Sequence, residues 1–368
     1  MSRPPVPVAD RLARAVMRSL GKLPPRLQRV LAGRSIVIDG QALHPTVQMG
    51  LRLLDLVAQE TFETKPLAEG RAEIAREAWV FGSPVAVGSV DDFDVDGPNG
   101  PVPVRLYRPA GRRDDMPLIV YFHGGGWVLG GLDSADSVVR FLVDHAGVAV
   151  LSVDYRLAPE HPFPAGLEDS LAAFDHAAAR AGSFGCDPRL VGVAGESAGG
   201  NLSAVISLMA AERARSNVSA PVPAFQMLFQ PVTDLSKKHR SYALFGNGFF
   251  LTERQMDWYR DHYLPAPSDA LDPRVSPLLA PNLSGLAPAY VAVAGFDPLR
   301  DEGRAYAARL QQAGVPVTLR EFAGVTHGLI NATGVGSVAR EMLLEIAGAL
   351  SMLVAFAAAR RGGEDRPL

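Results

Sequence analysis

The sequence predicts an α/β fold, with a mostly parallel central sheet that is flanked by helices and covered in part by a helical cap. Three observations lead to this prediction. From residue 118 onward, apolar runs alternate with stretches that favour helix, which is typical of a mostly parallel sheet. The sequence G-E-S-A-G at residues 195–199 joins one such run to a helical stretch. Residues 1–80 instead contain helical segments separated by prolines.

The chain is expected to divide into an N-terminal helical cap, residues 1–80, and a main α/β domain, residues 81–368. Strand-like runs at 91–96 and 102–108 begin the domain, and the Gly/Pro-rich run between them predicts a turn. Residues 235–275 interrupt the later alternation of strands and helices and are rich in aromatic side chains. We therefore expect this segment to supply a further part of the cap.

A helix is predicted over residues 9–20, with Leu12, Val16 and Leu20 on one face and arginines elsewhere. Two interpretations are open. The helix docks on an anionic membrane, or it is a cap helix with a solvated basic face, which is the interpretation that we favour. The apolar run at 346–359 is too short to span a bilayer and predicts a closing core helix.

Composition narrows the function classes. The chain has 368 residues, of which 48% are hydrophobic, and its net charge of −3 indicates no broad basic surface for nucleic acid. Cys186 is the only cysteine, and no Cys/His cluster has the spacing of a metal site. The N-terminus lacks the apolar run of a signal peptide. We therefore expect a cytoplasmic protein without a metal, a nucleic-acid partner or stable membrane insertion, and leave peripheral membrane association open.

The pentapeptide G-E-S-A-G makes Ser197 a candidate nucleophile. It follows the apolar run 190–194 and precedes a helical stretch at 201–214, the context in which G-x-S-x-G forms a sharp elbow. The elbow lifts the hydroxyl clear of the backbone, and glycines at both ends leave room for so tight a bend. Because the pentapeptide also occurs by chance, this interpretation depends on the rest of the chain.

A second motif, H-G-G-G-W at residues 123–127, follows the strand-like run 118–122. Its three glycines let backbone N–H groups turn toward a developing oxyanion, as ester hydrolysis requires. A phosphate cradle is the alternative, but neither a following Lys-Ser/Thr pair nor G-x-G-x-x-G is present here. We interpret His123 as structural, holding the loop, rather than as the base.

The general base is expected downstream of the nucleophile, since enzymes with this elbow keep the order Ser, acid, His. Three of the eight histidines lie there. His239 belongs to a charged run and His262 to a predicted amphipathic helix. His327 lies in a loop after the strand-like run 315–322 and is therefore the predicted base.

Two aspartates are candidates for the acid that orients the base. Asp297 follows the apolar run 289–294, and Asp234 follows the run 225–229, one strand earlier than the usual arrangement. We favour Asp297, although the proline after it also gives it the pattern of a helix N-cap. The next carboxylates are interpreted as residues of the first helical turn: Asp301 and Glu302.

Together these motifs resemble one family. In chain order they are H-G-G-G-W at 123–127, D-Y-R-L-A-P-E at 154–160, G-E-S-A-G-G at 195–200, D-P-L-R-D-E-G at 297–303 and H-G at 327–328. The combination resembles the hormone-sensitive-lipase-like branch of the α/β-hydrolases, the bacterial family IV esterases. The run I-V-I-D-G at 36–40 is similar to actinobacterial and mycobacterial short-chain esterases.

The resemblance implies a Ser-Asp-His triad, which falls on Ser197, Asp297 and His327. It also implies an oxyanion hole from the second and third glycines of the loop and the residue after the serine: Gly125, Gly126 and Ala198. Supporting roles fall on His123, Gly124 and Glu196, the last where the family usually has Asp. Trp127 is expected to line the substrate pocket.

The predicted function is hydrolysis of short- to medium-chain carboxylic esters of small molecules, without a cofactor. An amidase or an acyltransferase with the same triad is the alternative. A non-catalytic small-molecule receptor is disfavoured, because gibberellin receptors resemble this family but lack the histidine that His327 provides here. A homodimer is left open.

Overall fold

The structure is a computed structural model that describes residues 7–56, 60–111 and 114–364, so that residues 1–6 and 57–59 of the predicted cap lie outside the described residues. Its helices are α1 (Val8–Gly21), α2 (Pro25–Ala32), α3 (Pro45–Leu56), α4 (Leu67–Phe81), α5 (Leu132–Ala146), α6 (Ala165–Arg180), α7 (Ala198–Ser216), α8 (Arg240–Phe245), α9 (Glu253–Tyr263), α10 (Arg300–Gln312) and α11 (Val338–Glu364). Its strands are β1 (Val37–Ile38), β2 (Gln41–Ala42), β3 (Ser89–Gly97), β4 (Gly100–Arg108), β5 (Met116–Phe122), β6 (Ala149–Val153), β7 (Cys186–Glu196), β8 (Gln226–Phe229), β9 (Ala289–Phe296) and β10 (Val317–Thr326).

Eight strands form the central sheet, in the order β10-β9-β8-β7-β5-β6-β4-β3. Strands β5 to β10 pair in parallel, while β4 pairs antiparallel with both of its neighbours. The predicted α/β class with a mostly parallel sheet is confirmed. Because parallel strands end at one edge of the sheet, the residues that follow β7, β8, β9 and β10 come together there.

Side chains alternate along β5 and divide the core into two layers. Leu118 and Val120 lie in the layer with α6 and α7, whereas Ile119 and Tyr121 lie in the layer with α5 and α11. Cys186, the first residue of β7, is also buried. Packing on both faces fixes the strands and so fixes the edge at which they end.

The final helix is longer than predicted. Among the described residues, Val338–Arg360 is the one helix long and apolar enough to cross a membrane by length and composition, so the prediction that the apolar run at 346–359 is too short to span a bilayer is wrong for the whole helix. Leu343, Ile346 and Leu350 are nevertheless fully buried in the core layer that α11 shares with α5. The helix closes the core, which is the packing expected of it.

An unpredicted β-hairpin, β1–β2, lies between α2 and α3. Asp39 and Gly40 form its two-residue turn with φ of +54° and +75°, the left-handed pair that a type I′ turn requires. Oδ2 of Asp39 accepts from the buried Arg300 at 2.7 Å, and the N–H of His44 donates to the carbonyl of Gly324 at 2.8 Å. The hairpin region therefore braces the segments that surround the ends of β9 and β10.

Helix α1 lies with its basic side inward. The Arg14 guanidinium lies 4.3 Å from the centroid of the Trp79 ring and donates to the carbonyl of Gly82 at 3.2 Å. Arg18 donates to the hydroxyl of Ser83 at 3.4 Å. The favoured prediction of a solvated basic face is wrong for these arginines, because their donors bind oxygen atoms just beyond the C-terminal end of α4.

Candidate active site

Ser197 lies at a sharp turn between β7 and α7. Its backbone angles, φ +56° and ψ −117°, lie in a region that residues with side chains rarely adopt. Gly199 permits the turn, because a Cβ there would lie only 1.9 Å from the carbonyl oxygen of Phe122. The N–H of Ser197 donates to the carbonyl of Phe229 at 2.8 Å, which fixes the turn to β8. This geometry places the serine on an elbow at the sheet edge, where it is 8% exposed.

His327 directly follows β10, and Asp297 directly follows β9. Nδ1 of His327 lies 2.8 Å from Oδ2 of Asp297, and the two residues are only 7% and 1% exposed. The other oxygen of Asp297 accepts the N–H of Leu299 at 2.8 Å. Since α10 begins at Arg300 with Leu299 as its N-cap, Asp297 forms a turn ahead of the helix rather than the predicted N-cap.

Sequence patterns do not single out Gln230, which directly follows β8. Its buried amide binds the peptide groups on both sides of His327: Nε2 donates to the carbonyl of Thr326 at 3.3 Å, and Oε1 accepts the N–H of Gly328 at 2.8 Å. Its own N–H donates to the carbonyl of Ala292 in β9 at 2.7 Å. Gln230 therefore ties the loop of the histidine to the strand beside the serine elbow.

Glu196, the residue before the nucleophile candidate, is buried and accepts a hydrogen bond from Asn331 at 2.7 Å. Burial raises the pKa of its carboxyl, while His327 and Asn331 act to lower it. Burial acts to lower the pKa of His327, but Asp297 and then Glu196 outweigh it, so the pKa of this imidazole is raised above its usual value. The two carboxylates thus stabilise an imidazolium at this position.

The glycine-rich loop after β5 carries three consecutive residues with positive φ: Gly125 at +111°, Gly126 at +59° and Trp127 at +60°. Within the described ranges, the backbone N–H groups of Gly125, Gly126 and Ala198 are among those near the elbow that donate no hydrogen bond. Ala198 is the first residue of α7, where the helix dipole favours negative charge. Unpaired N–H groups of this kind can bind a developing oxyanion.

His123 holds the start of this loop. Its Nδ1 lies 2.7 Å from the carbonyl oxygen of Gly124, and its ring stacks on Tyr155 with centroids 4.3 Å apart. The Tyr155 hydroxyl donates to the carbonyl of His123 at 2.9 Å. Burial lowers the pKa of His123, which favours the neutral ring. These contacts support the structural interpretation of this histidine.

Helix α9, from the aromatic-rich segment 235–275, covers the loop. The Tyr259 ring lies so close to Gly126 that a Cβ there would be 2.1 Å from it. Trp127 is 1% exposed and stacks on Tyr263 with ring centroids 4.2 Å apart. Trp127 thus belongs to the packing beneath α9, and its place in the substrate pocket stays a prediction.

Helix α4 holds the loop from the other part of the predicted cap. Arg71 donates to the carbonyls of Val128 and Ala158, each at 3.0 Å. The same guanidinium forms a bidentate pair with Glu160 at 2.8 and 2.7 Å. Glu160 ends the motif D-Y-R-L-A-P-E, so this motif anchors α4 beside the glycine-rich loop.

Asp234, the other candidate acid, lies apart from His327. Its Oδ2 lies 2.9 Å from Nε2 of His239, and its Oδ1 accepts the N–H of Ser236 at 3.0 Å. Asp301 and Glu302 lie in the first turn of α10, as predicted. Glu302 is also fully buried and accepts the N–H groups of Thr233 and Asp234. Burial raises the pKa of Glu302 well above its usual value. The structure thus brings Asp297, and not Asp234, to the histidine.

These residues offer a serine at an elbow, an imidazole paired with a carboxylate, and unpaired backbone donors. This set is suited to nucleophilic attack on a carbonyl carbon, with the developing charge held by the donors. In the part of the chain that the structure describes, no group of three or more His, Cys, Asp or Glu side chains could hold a metal ion.

Comparisons with known proteins agree with this chemistry. The profile of a family described as having the alpha/beta hydrolase fold matches residues 119–331. The carboxylic ester hydrolase LipN of Mycobacterium tuberculosis is 46% identical over 313 residues, covering 84% of this chain and 83% of that protein. The ethyl acetate hydrolase of Pseudomonas putida is 36% identical, covering 84% and 98%. An alpha/beta hydrolase enzyme from the metagenome of Lake Arreo, Spain, is similar in structure, with a TM-score of 0.80, 39% identity and coverage of 85% and 98%.

Proposed function

This chain belongs to the alpha/beta hydrolase family and is a carboxylic ester hydrolase, and on that premise we propose that Ser197, His327 and Asp297 are its catalytic residues. One observation carries the proposal. The serine elbow shares one edge of the sheet with His327 and Asp297, whose Nδ1 and Oδ2 atoms lie 2.8 Å apart. Gln230 links the loop of His327 to the strand beside the elbow.

In the first half of the reaction, Oγ of Ser197 attacks the acyl carbonyl carbon while Nε2 of His327 takes the hydroxyl proton. Asp297 accepts from Nδ1–H, which keeps the imidazole in the reactive tautomer and stabilises the imidazolium. The oxyanion is held by the backbone N–H groups of Gly125, Gly126 and Ala198. The bond to the leaving oxygen then breaks, and His327 returns its proton to give the alcohol and an acyl-enzyme.

In the second half, His327 removes a proton from water as the water oxygen attacks the acyl carbon. The bond between the acyl carbon and Oγ of Ser197 breaks, and the proton passes to Oγ. The carboxylic acid leaves and the free serine is restored.

The proposed substrates are small-molecule esters of short- to medium-chain acids. Aromatic packing around the glycine-rich loop supports this choice, since Tyr259 and Tyr263 close the space above it. A relative named ethyl acetate hydrolase, at 36% identity, also supports it. The same triad could cleave amides or transfer the acyl group to another acceptor, and the substrate panel below separates these reactions.

We further propose that residues 1–80 and 235–275 form the cap over a catalytic domain at 81–368. The Arg71 contacts of α4 and the aromatic contacts of α9, both on the glycine-rich loop, support this division. We propose the cytoplasm as the site of action, with no nucleic-acid partner and no stable insertion into a membrane.

Ser197→Ala tests the proposed nucleophile. With p-nitrophenyl esters, kcat should fall by about 10³-fold or more, because no other nucleophile can form the acyl-enzyme. Ser207→Ala, which truncates another buried serine in α7, is the matched control and should retain activity. Amides and acceptor alcohols tested beside the esters measure the competing reactions. Near-normal ester turnover by folded Ser197→Ala protein would contradict the assignment.

A further inference from the structure

Helix α1 turns its apolar face to solvent. Val8, Leu12 and Val16 follow one another at four-residue spacing on one face, and they are 79%, 65% and 47% exposed. The opposite side binds the body of the protein through Arg14 and Arg18. A helix on the surface of a globular protein normally turns its apolar stripe to the core. The reversed orientation indicates that this stripe has a binding partner.

Helix α2 repeats the arrangement. Gln28 is its buried polar residue, and its amide donates to the carbonyls of Gly21 and Leu23 at 3.2 and 2.9 Å. The large apolar side chains of the helix are exposed: Leu27, Val30 and Leu31. Two consecutive helices therefore present apolar side chains outward, and the Gln28 amide ties the second helix to the end of the first.

The charge around these helices is strongly positive. Residues 7–34 contain seven basic residues and one acidic residue, in a chain whose net charge is −3. Apart from the two arginines bound to the protein, the basic residues are exposed: Arg11, Lys22, Arg26, Arg29 and Arg34. Apolar side chains among cations match the headgroup and acyl boundary of an anionic bilayer. A nucleic acid would satisfy the cations but offers no apolar phase for the stripe.

We propose that α1 and α2 form a docking face for the surface of an anionic lipid bilayer. The apolar side chains enter the boundary between headgroups and acyl chains, and the exposed cations bind the headgroups. Helix α1 rests on α4, which holds the glycine-rich loop through Arg71. Docking therefore brings the cap to the membrane surface, where apolar esters concentrate.

Sedimentation with vesicles tests the proposal. The full chain should bind vesicles of equal parts phosphatidylcholine and phosphatidylglycerol, and binding should weaken at high salt. Leu12→Gln with Val16→Gln should lower binding about tenfold or more, because two side chains lose their apolar burial. The matched control is Leu271→Gln with Met352→Gln, two similarly exposed side chains outside the docking face, and it should bind like the parent chain.

A charge variant, Arg26→Gln with Arg29→Gln, gives a second route to the same conclusion and should also weaken binding to the anionic vesicles. Circular dichroism and hydrolysis of a soluble short-chain ester check that each variant is folded. Equal binding to pure phosphatidylcholine, or no binding to either vesicle, would overturn the proposal. So would a dimer in solution, measured by light scattering, that Leu12→Gln with Val16→Gln splits, because the face would then belong to a second copy.

Discussion

An amide carries a donor and an acceptor on one planar group, and Gln230 uses both around His327. Gln230→Met keeps the length of the side chain and removes both bonds. We expect kcat for a short ester to fall between about tenfold and a hundredfold with little change in KM, because a slightly misplaced base slows proton transfer. Steady-state kinetics measure kcat and KM separately and so test this expectation.

The matched control for Gln230 is Gln226→Met, at the start of β8, the strand that Gln230 follows. Gln226 is equally buried and donates to the carbonyl of Ala287 at 2.9 Å, away from His327. Both variants should lose some thermal stability, but only Gln230→Met should lose kcat. Equal kcat values for the two variants at equal Tm would show that Gln230 does not position the base.

Asp297→Asn should reduce kcat far more than Asp234→Asn. An amide at 297 can no longer accept from Nδ1–H in the required tautomer, and the analogous change in a studied protease lowered turnover about 10⁴-fold. Asp234 instead pairs with His239, so its loss should affect Tm more than catalysis. Both Tm and kcat are measured for each variant. A larger loss of kcat in Asp234→Asn would show that Asp234, and not Asp297, is the acid.

Glu196→Gln should shift the pH profile. Burial acts to lower the pKa of His327, and Asp297 and Glu196 raise it above its usual value, so removing the Glu196 charge should let that pKa fall. The base must be neutral to accept the serine proton. The acid limb of kcat/KM should therefore move to lower pH, with ester hydrolysis assayed from acid to neutral pH. An unmoved acid limb would mean that Glu196 does not act on His327 electrostatically.

At the scale of elements, helix α9 is expected to limit the length of the acyl chain that the site accepts. Tyr259 and Tyr263 pack on Gly126 and Trp127, which supports a short acyl site for the proposed substrates. Each buried methylene adds about 0.8 kcal/mol until the pocket ends, so kcat/KM should peak between roughly C2 and C8. A series of p-nitrophenyl esters up to C16, with emulsified triglyceride beside it, measures the optimum. A maximum at C12 or longer, with activation at an oil–water interface, would indicate a lipase with a longer pocket.

Elements with strong local patterns are predictable from the sequence, and those that depend on distant partners are not. The apolar run before Ser197 and the run at 289–294 are both strands, as predicted. The β1–β2 hairpin carried a usable signal in Asp39-Gly40, a dipeptide typical of two-residue turns. Periodicity placed Leu12 and Val16 on one face of α1, but it does not say which face packs inward, because that depends on the acceptors that Arg14 meets near α4.

Dependence on a distant partner also explains why sequence patterns do not single out Gln230. A polar residue at the end of the apolar strand β8 was the only local sign, and its function depends on a loop about a hundred residues later in the chain. Ser197, Asp297 and His327 were easier to single out, because each has a residue type and a position after a strand that the chemistry requires.

At the scale of the whole molecule, the proposed chemistry depends on the sheet and needs no metal ion. EDTA should leave ester hydrolysis unchanged, whereas an organophosphate or a sulfonyl fluoride should stop it by forming a covalent bond to Ser197. Mass spectrometry of the labelled peptide locates the bond. Activity that EDTA abolishes and a metal restores would contradict the proposed mechanism.

Cys186 opens the strand that leads to the elbow, and it is the only thiol in the chain. Burial raises its pKa to about 11, so at neutral pH it is both enclosed and almost wholly protonated. A thiol reagent can then modify it only during brief local openings of the sheet. The rate at which Cys186 is modified therefore reports how often the sheet opens. A variant with a loosened scaffold should be modified faster, whereas a variant that has lost only its catalytic chemistry should be modified at the parent rate.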